Sequence, residues 1–356
     1  MAQELHYTDK PLATVERLLA EMNANKVFLL FDENTERFCG KDIDPQAFPY
    51  LGSAYRIVIP PGDESKNIDT LSYVWLQLVE NGATRNSLLV NIGGGMVTDL
   101  GGFAAATFKR GIRFMNVPTT LLGAVDAAVG GKTGINFCGL KNEIGAFCEA
   151  SHVVISPKFY ATLPADEVIS GYGEVIKHGL LNSCGKLAKV LAFDVAAADA
   201  AAMMDVLRES VEVKRRIVAA DPTEKGLRKA LNLGHTVGHA FEALAMERGE
   251  HIAHGVAVAQ GLVADLVLSH LIFGFPSDIL HQVADYVKSH YPAPRIDCKD
   301  YPQLIEFMRH DKKNSSADSI NFSLLAEPGE VKLDTVVGKE QIEAALDIMR
   351  DLLGVA

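Results

Sequence analysis

Basic excess is missing from this 356-residue chain: 34 Lys and Arg stand against 45 Asp and Glu, a formal charge of −11. A general nucleic-acid binder carries a positive footprint, so the balance argues against one. A local basic pocket for an anionic small molecule stays open. Cysteine is scarce: five residues (Cys39, Cys138, Cys148, Cys184, Cys298), odd in number and never at CxxC spacing. That excludes a disulfide scaffold and a cysteine-bound structural zinc, and fits a reducing compartment. No apolar run opens the sequence, since MAQELHYTDK carries charges where a secretion signal needs a hydrophobic core. The greasiest stretch, Ile252 to Phe275, is broken by His254, Gln260, Asp265 and His270 and reads as a buried helix, not a membrane span. Internal repeats and low-complexity linkers are absent. A cytoplasmic protein with neither nucleic-acid nor membrane partners is expected, long enough for about two domains at roughly 150 residues each.

What is present is organised in two halves. Val27–Asp32, Tyr55–Pro60, Ser87–Ile92, Phe114–Pro118 and Val153–Pro157 read as strands, and Leu12–Met22 and Ile68–Glu80 have helical spacing. Such alternation predicts parallel βαβ units with ligands at the carboxyl ends of the strands. After Pro164 the spacing turns helical over Tyr172–Leu181, Val195–Leu207, Glu209–Ala220, Lys229–Arg248 and His254–Leu271. Ser319–Leu325 and Glu330–Leu333 flank Pro328-Gly329 as a small hairpin, and Lys339–Leu353 closes the chain as a helix. These shifts predict an α/β domain over 1–157 and a mainly helical one over 158–356, with an active-site cleft between them.

Within the first half, SLLVNIGGGMVTDLGG ends a buried strand in Gly93-Gly94-Gly95 and starts a helix near Val97. Glycines let backbone approach a ligand, and the helix N-terminus offers N–H groups and a positive dipole end to a pyrophosphate. The pattern is not GxGxxG and equally suits a tight turn without ligand. Asp32, Asp63 and Asp99 could cap turns or bind a ligand hydroxyl.

The second half carries GYGEVIKHG (171–179), LNLGHTVGHAFE (231–242) and HIAHGVAVAQG (251–261). His235 and His239 are four apart, on one helix face; His254 opens the next helix. Two imidazoles with the Glu174 carboxylate would suit a catalytic zinc with open positions. Spacing alone leaves open whether these histidines bind metal or hydrogen-bond in a core, and which two would coordinate. Positive residues gather beside these motifs: Arg110, Lys132, Lys141, Lys177, Lys214, Arg228 and Lys312-Lys313. GGKTGIN (130–136) and LKNEIGAF (140–147) read as loops presenting Lys132, Asn136, Lys141 and Asn142. Together they suggest a pocket for a substrate with both phosphate and carboxylate.

The strings GGGMVTDLGGFAAATFKRG, VPTTLLGAVDAAVGGKTGIN, LKNEIGAF, GYGEVIKHG, LNLGHTVGHAFE and HGVAV, in that order, resemble the 3-dehydroquinate synthase family of sugar-phosphate cyclases from about Asp32 to Lys313. The resemblance implies a Rossmann-like NAD-binding α/β domain followed by an α-helical metal-binding domain, in a homodimer. It implies Glu174, His235 and His254 as ligands of Zn2+ or Co2+. NAD contacts would be Asp32, Asn34, Asp63, Lys66, Gly94, Gly95, Asp99, Thr119, Thr120, Lys132, Lys141, Phe159, Thr162 and Leu163. Substrate contacts would be Asp126, Lys132, Lys141, Asn142, Lys177, Lys214, Arg228, Asn232, His239 and Lys313, with Arg110 reaching the phosphate from the neighbouring subunit.

The implied activity is a phosphate-eliminating lyase with recycled NAD. It would convert the sugar acid phosphate 3-deoxy-D-arabino-heptulosonate 7-phosphate to 3-dehydroquinate and phosphate, a step of the shikimate pathway to aromatic amino acids. A related cyclase, a metal-dependent polyol dehydrogenase and a non-catalytic NAD- and metal-binding protein are the alternatives. Two departures stand out: Val256 replaces the acidic residue of the family's HGE, and Asp63 replaces the glutamate of its GExxK. The first concerns the environment of the metal ligands; the second concerns adenosine-ribose contacts.

Overall fold

The computed structural model describes residues 3–138, 140–309 and 320–355, so Lys312 and Lys313 lie outside the described residues. The chain packs as two compact units, Met1–Pro164 with Ala198–Val211, and Ala165–Ala197 with Glu212–Ala356. The division therefore falls at Pro164, not at residue 157. The segment Pro157–Thr162 is a 3-10 turn whose Phe159 packs on the core of the first unit. Residues 198–211 join that unit as well, and the Arg208 guanidinium lies 4.5 Å from the Tyr7 ring centroid.

The first unit is built on six strands: β1 (Glu4–Tyr7), β2 (Val27–Asp32), β3 (Tyr55–Ile59), β4 (Leu88–Gly93), β5 (Arg113–Pro118) and β8 (His152–Ile155). They pair in parallel in the order β1-β8-β5-β4-β2-β3. Helices α1 (Pro11–Met22), α2 (Glu33–Phe38), α3 (Pro49–Ser53), α4 (Ile68–Glu80) and α5 (Gly95–Thr107) connect them. The central strand β4 is buried at every residue, as a sheet covered on both faces requires. All carboxyl ends share one edge, and the order reverses between β2 and β4, where ligands of such sheets bind.

Two expected loops are strands: β6 (Lys132–Phe137) and β7 (Leu140–Phe147) pair antiparallel, with Gly134 opposite Gly145. A Cβ at Gly145 would lie 2.1 Å from the Thr133 carbonyl oxygen. The pairing is carried by close backbone approach, so it leaves no apolar alternation to read.

The second unit contains α6 (Ala165–Leu180), α7 (Cys184–Leu191), the end of α8 (Ala200–Ala220), α9 (His235–Glu247), α10 (His254–Phe273), α11 (Ser277–His290), α12 (Tyr301–Arg309), the antiparallel hairpin β9 (Ile320–Glu327) and β10 (Glu330–Val337), and α13 (Lys339–Leu353). The two helices expected over 195–220 are one. The single helix expected over Lys229–Arg248 is a 3-10 turn, Leu227–Asn232, followed by α9.

Buried from Gly255 to Ser269, α10 is the central element of this unit, packed on α6, α9, α11, α13 and β9. It is the one described helix long and apolar enough to cross a membrane, and most of it is covered by protein. Backbones touch at its N-terminal end. A Cβ on Gly255 would sit 1.8 Å from the Ser170 carbonyl oxygen, and one on Gly173 would sit 2.3 Å from that of Gly255. Gly255→Ala is therefore expected to destabilise the protein by about 3 kcal/mol or more, because the obstacle is backbone. Gly185→Ala, where nothing lies within 4 Å of the new Cβ, should shift stability by less than about 1 kcal/mol. Denaturant melts of the two variants check the contrast.

Candidate functional site

In the first unit, the residues implied for NAD lie along the carboxyl edge. Asp32 ends β2, and its carboxylate accepts a hydrogen bond from the Thr35 N–H (2.7 Å), capping α2 beside Asn34. Gly94 and Gly95 join β4 to α5, whose N-terminus has no side-chain cap. A Cβ on Gly94 or Gly95 would meet Thr120 Cγ2 or Ala127 Cβ at 3.1 Å, so a larger residue at either place would crowd this turn. Such a bare helix N-terminus at the strand reversal fits a pyrophosphate. Thr119 and Thr120 follow β5; Phe159, Thr162 and Leu163 follow β8.

A polar network ties the β6–β7 hairpin to the segment after β3. The buried Lys66 ammonium donates to Asp99 Oδ2 and Asn142 Oδ1, both at 2.5 Å. The Asn136 N–H donates to the Lys66 carbonyl (2.7 Å), and its side-chain amide donates to Asp63 Oδ2 (3.2 Å). Lys141 Nζ is 3.5 Å from the same Asp63 oxygen. Asp63, Lys66, Asp99, Lys141 and Asn142 thus form one assembly. With Asn136 and Lys141 both reaching its side chain, aspartate is long enough at position 63.

Lys132 begins β6, and Asp126 sits in the π-helical turn Gly123–Ala127. Arg110 is exposed in a strained turn, with φ of 50° at Lys109, 66° at Arg110 and 111° at Gly111. Left-handed backbone at two successive non-glycine residues costs of order 1 kcal/mol or more each and tends to persist at functional sites.

In the second unit, three helices bring Glu174, His235 and His254 together. Glu174 is fully buried on α6, with Lys177 one turn on as its ion-pair partner at Oε2. Its Oε1 faces His235 Nε2 at 3.4 Å and His254 Nε2 at 3.8 Å. Neither carboxylate oxygen accepts a hydrogen bond among the described residues. Both histidines are oriented through their other nitrogen. His235 Nδ1 is 3.1 Å from the Leu233 carbonyl, and His254 Nδ1 is 3.2 Å from Glu242 Oε2. A ring that donates from Nδ1 keeps its Nε2 lone pair for a ligand. Two such nitrogens around a buried carboxylate oxygen, at 3.4 and 3.8 Å from it, fit a divalent cation of the zinc class. His239 joins a second cluster with Glu242 and His254.

Two residues here escaped the sequence reading. Glu242 stands seven positions after His235 and three after His239, on the same helix face, a spacing that could have revealed it. Asp265, buried on α10, accepts from the Gly234 N–H (2.6 Å) and secures the left-handed turn (φ 79°) that launches α9 with His235. A lone acid in the greasiest stretch marks it, but nothing there names its partner.

Near them, Arg228 is buried and donates to the Pro222 carbonyl (2.7 Å). Asp221 holds that loop by accepting from the N–H groups of Gly226 (2.6 Å) and Arg228 (3.1 Å). Backbone donors, led by Gly226, keep its carboxyl below the usual aspartate range. Asn232 donates to Glu224 Oε1 (3.2 Å), and Lys214 is buried on α8.

Comparison with known proteins follows this geometry. The 3-dehydroquinate synthase N-terminal model matches residues 56–170 and the C-terminal model matches 171–314. The 3-dehydroquinate synthase of Parabacteroides distasonis is 48% identical over 341 residues, 96% of each chain. The chain belongs to the 3-dehydroquinate synthase family. Its fold is also that of a 2-deoxy-scyllo-inosose synthase crystallised with carbaglucose-6-phosphate, NAD+ and Co2+ (TM-score 0.83, 21% identity, 98% and 96% of the two chains). A 2-epi-5-epi-valiolone synthase from Streptomyces hygroscopicus, with NAD+ and Zn2+ bound, superposes with a TM-score of 0.81 (23% identity, 99% and 97% coverage). The Rossmann-like α/β domain followed by a helical domain is thus the architecture the chain shares with these two synthases.

Glu242→Gln keeps the size of the side chain and removes its charge. It is expected to weaken retention of a divalent metal by about 10- to 100-fold, measured by competition of the purified protein against a chromophoric chelator. Unchanged retention would remove Glu242 from this role.

Proposed function

We propose that the protein is a 3-dehydroquinate synthase, converting 3-deoxy-D-arabino-heptulosonate 7-phosphate to 3-dehydroquinate and phosphate in the shikimate pathway. The observation that carries this reading is the buried Glu174 oxygen facing two imidazoles whose Nδ1 atoms are already engaged. Glu174, His235 and His254 would hold Zn2+ or Co2+, and the carboxyl edge of the first unit would hold NAD. When bound, the metal supplies Lewis acidity toward neighbouring hydroxyls, and NAD supplies reversible hydride acceptance.

The chain's own residues bind and orient the sugar acid. Lys132 and Arg228 suit its carboxylate; Asn142, Asn232, His239, Arg110 and Lys313 suit its phosphate, by charge and hydrogen-bonding capacity. Lys177 is ion-paired beside Glu174, and there its positive charge would favour proton loss from hydroxyls bound at the cluster. Lys214, Lys141 and Asp126 complete the polar lining. Elimination of phosphate next to a ketone needs a base, and the departing phosphate's own oxygens serve. The net reaction is a carbon–oxygen lyase step. The five cysteines, all free, support a cytoplasmic setting; a homodimer that shares its sites through Arg110 is carried by the family resemblance alone.

Incubation with the heptulosonate phosphate should release phosphate without net NADH. Accumulating NADH would point to a polyol dehydrogenase, and silence with bound NAD to a non-catalytic protein. Glu174→Gln should lower turnover by at least about 100-fold at low added metal; near-normal rates would contradict the ligand assignment. Arg110→Ala should be nearly inactive alone and partly rescued in mixed dimers with Glu174→Gln. Absence of rescue in verified heterodimers would refute the shared site.

A further inference from the structure

A second histidine–carboxylate cluster lies in the first unit, sharing no residue with the Glu174 site. Glu4 and His6 are two apart on β1, hence on one face, and His152 is paired with Glu4 across the parallel β1–β8 ladder. Sheet register alone therefore stacks the three side chains at the sheet edge. His6 Nε2 is 3.1 Å from His152 Nδ1, while Glu4 Oε2 is 3.8 Å from the former and 3.5 Å from the latter. A triangle with these sides has a circumradius of about 2.0 Å. A point between the three atoms is thus equally distant from each, by nearly the roughly 2.0–2.2 Å of zinc–imidazole and zinc–carboxylate bonds.

The surroundings suit a cation as well. The two ring side chains are 21% and 15% exposed and held by the strands, whereas Glu4 at 66% opens to solvent and leaves room for water ligands. Arg17 and Glu21 of α1 stand near both rings and neutralise one another through a 2.6 Å ion pair. A hydrogen bond between two neutral rings would explain the 3.1 Å contact alone. It would not explain a carboxylate oxygen that converges on both nitrogens, at 3.8 and 3.5 Å.

We infer that Glu4, His6 and His152 form a second divalent transition-metal site, which clamps the four-residue strand β1 to β8. The remaining positions are open to water; the role assigned to the ion is structural because its ligands come from two neighbouring strands. β1 borders only β8, at the end of the sheet, and its attachment rests on four paired residues; a metal bridging the two strands adds a link that backbone pairing lacks.

Zinc alone, titrated into metal-stripped full-length protein against a chromophoric chelator, tests this. The wild type should take up two equivalents per chain, and His6→Asn and His152→Asn one each with turnover retained. Glu4→Ala changes an exposed side chain that folding does not require, and should weaken the second equivalent by about tenfold or more. Hydrogen exchange of the Glu4–Tyr7 amides should slow at least about tenfold with the second equivalent in the wild type and not in the histidine variants. Equal uptake by the wild type and both histidine variants, or exchange unaffected by zinc, would overturn the site, whatever the Glu174 cluster binds. Because the readouts are stoichiometry and local exchange, they stand or fall apart from the catalytic assignment.

Discussion

Contact between helix backbones at the N-terminal end of α10 is the constraint from which the second unit's chemistry follows. Gly255 meets the Ser170 carbonyl, Gly173 meets that of Gly255, and Gly261 meets that of Gly234. Each contact is one residue from a polar group of the cluster: Gly173 precedes Glu174, His254 precedes Gly255, and Gly234 precedes His235. Helices normally pack 8–10 Å apart, axis to axis, through side chains. Without Cβ atoms they come closer, and short-reach groups on three helices can then converge. The glycines of GYGE, LGH and HGV set the separation, and the polar residues beside them use it.

Burial decides the character of what converges. A carboxylate at 0% exposure loses its hydration, and the loss must be offset by charge or hydrogen bonds. Lys177 offsets part of it through Oε2, while Oε1 faces two imidazole nitrogens. Rings whose Nδ1 atoms donate present Nε2 as a lone pair, so the remaining requirement is a positive centre among them. The first unit solves a different problem with the same economy. Parallel strands put every loop of interest on one edge, and glycine at the strand reversal leaves that edge open where a helix dipole points.

Much of this was legible because buried elements have strong periodicity. Ile68–Glu80 and Lys339–Leu353 were read to the residue, and the family motifs lie on buried glycine-rich segments whose spacing survives in the sequence. Elements stabilised by something other than an apolar face were not. β1 is four edge residues, ELHY, partly exposed throughout. The β6–β7 hairpin is held by Gly134–Gly145 approach and the Lys66 network, so its sequence resembles loop. α8 runs unbroken through Arg208, the residue between the two stretches read as helices, and that guanidinium lies 4.5 Å from the Tyr7 ring centroid, a partner distant in sequence. The role of Asp265, visible only as a break in an apolar run, was hidden for a related reason: its partner, the Gly234 N–H, is 31 residues away, and no local rule connects them.

Val256 shows how a departure from the family pattern can be accommodated without loss of the cluster. At 3.6 residues per turn, position 256 lies about 200° around α10 from His254. An acid there would point away from the imidazole and toward a side of the helix that is packed, since Val256 is 8% exposed. A carboxylate at that place would need its own partner, and valine needs none. His254 Nδ1 is engaged from another helix, by Glu242, which approaches from α9 on the same face as His235 and His239. One helix face then carries an imidazole at 235, another at 239 and the carboxylate that orients a third. The geometry of the histidines is thus governed by α9 and its anchoring through Gly234 and Asp265, and a change at 256 leaves that anchoring untouched.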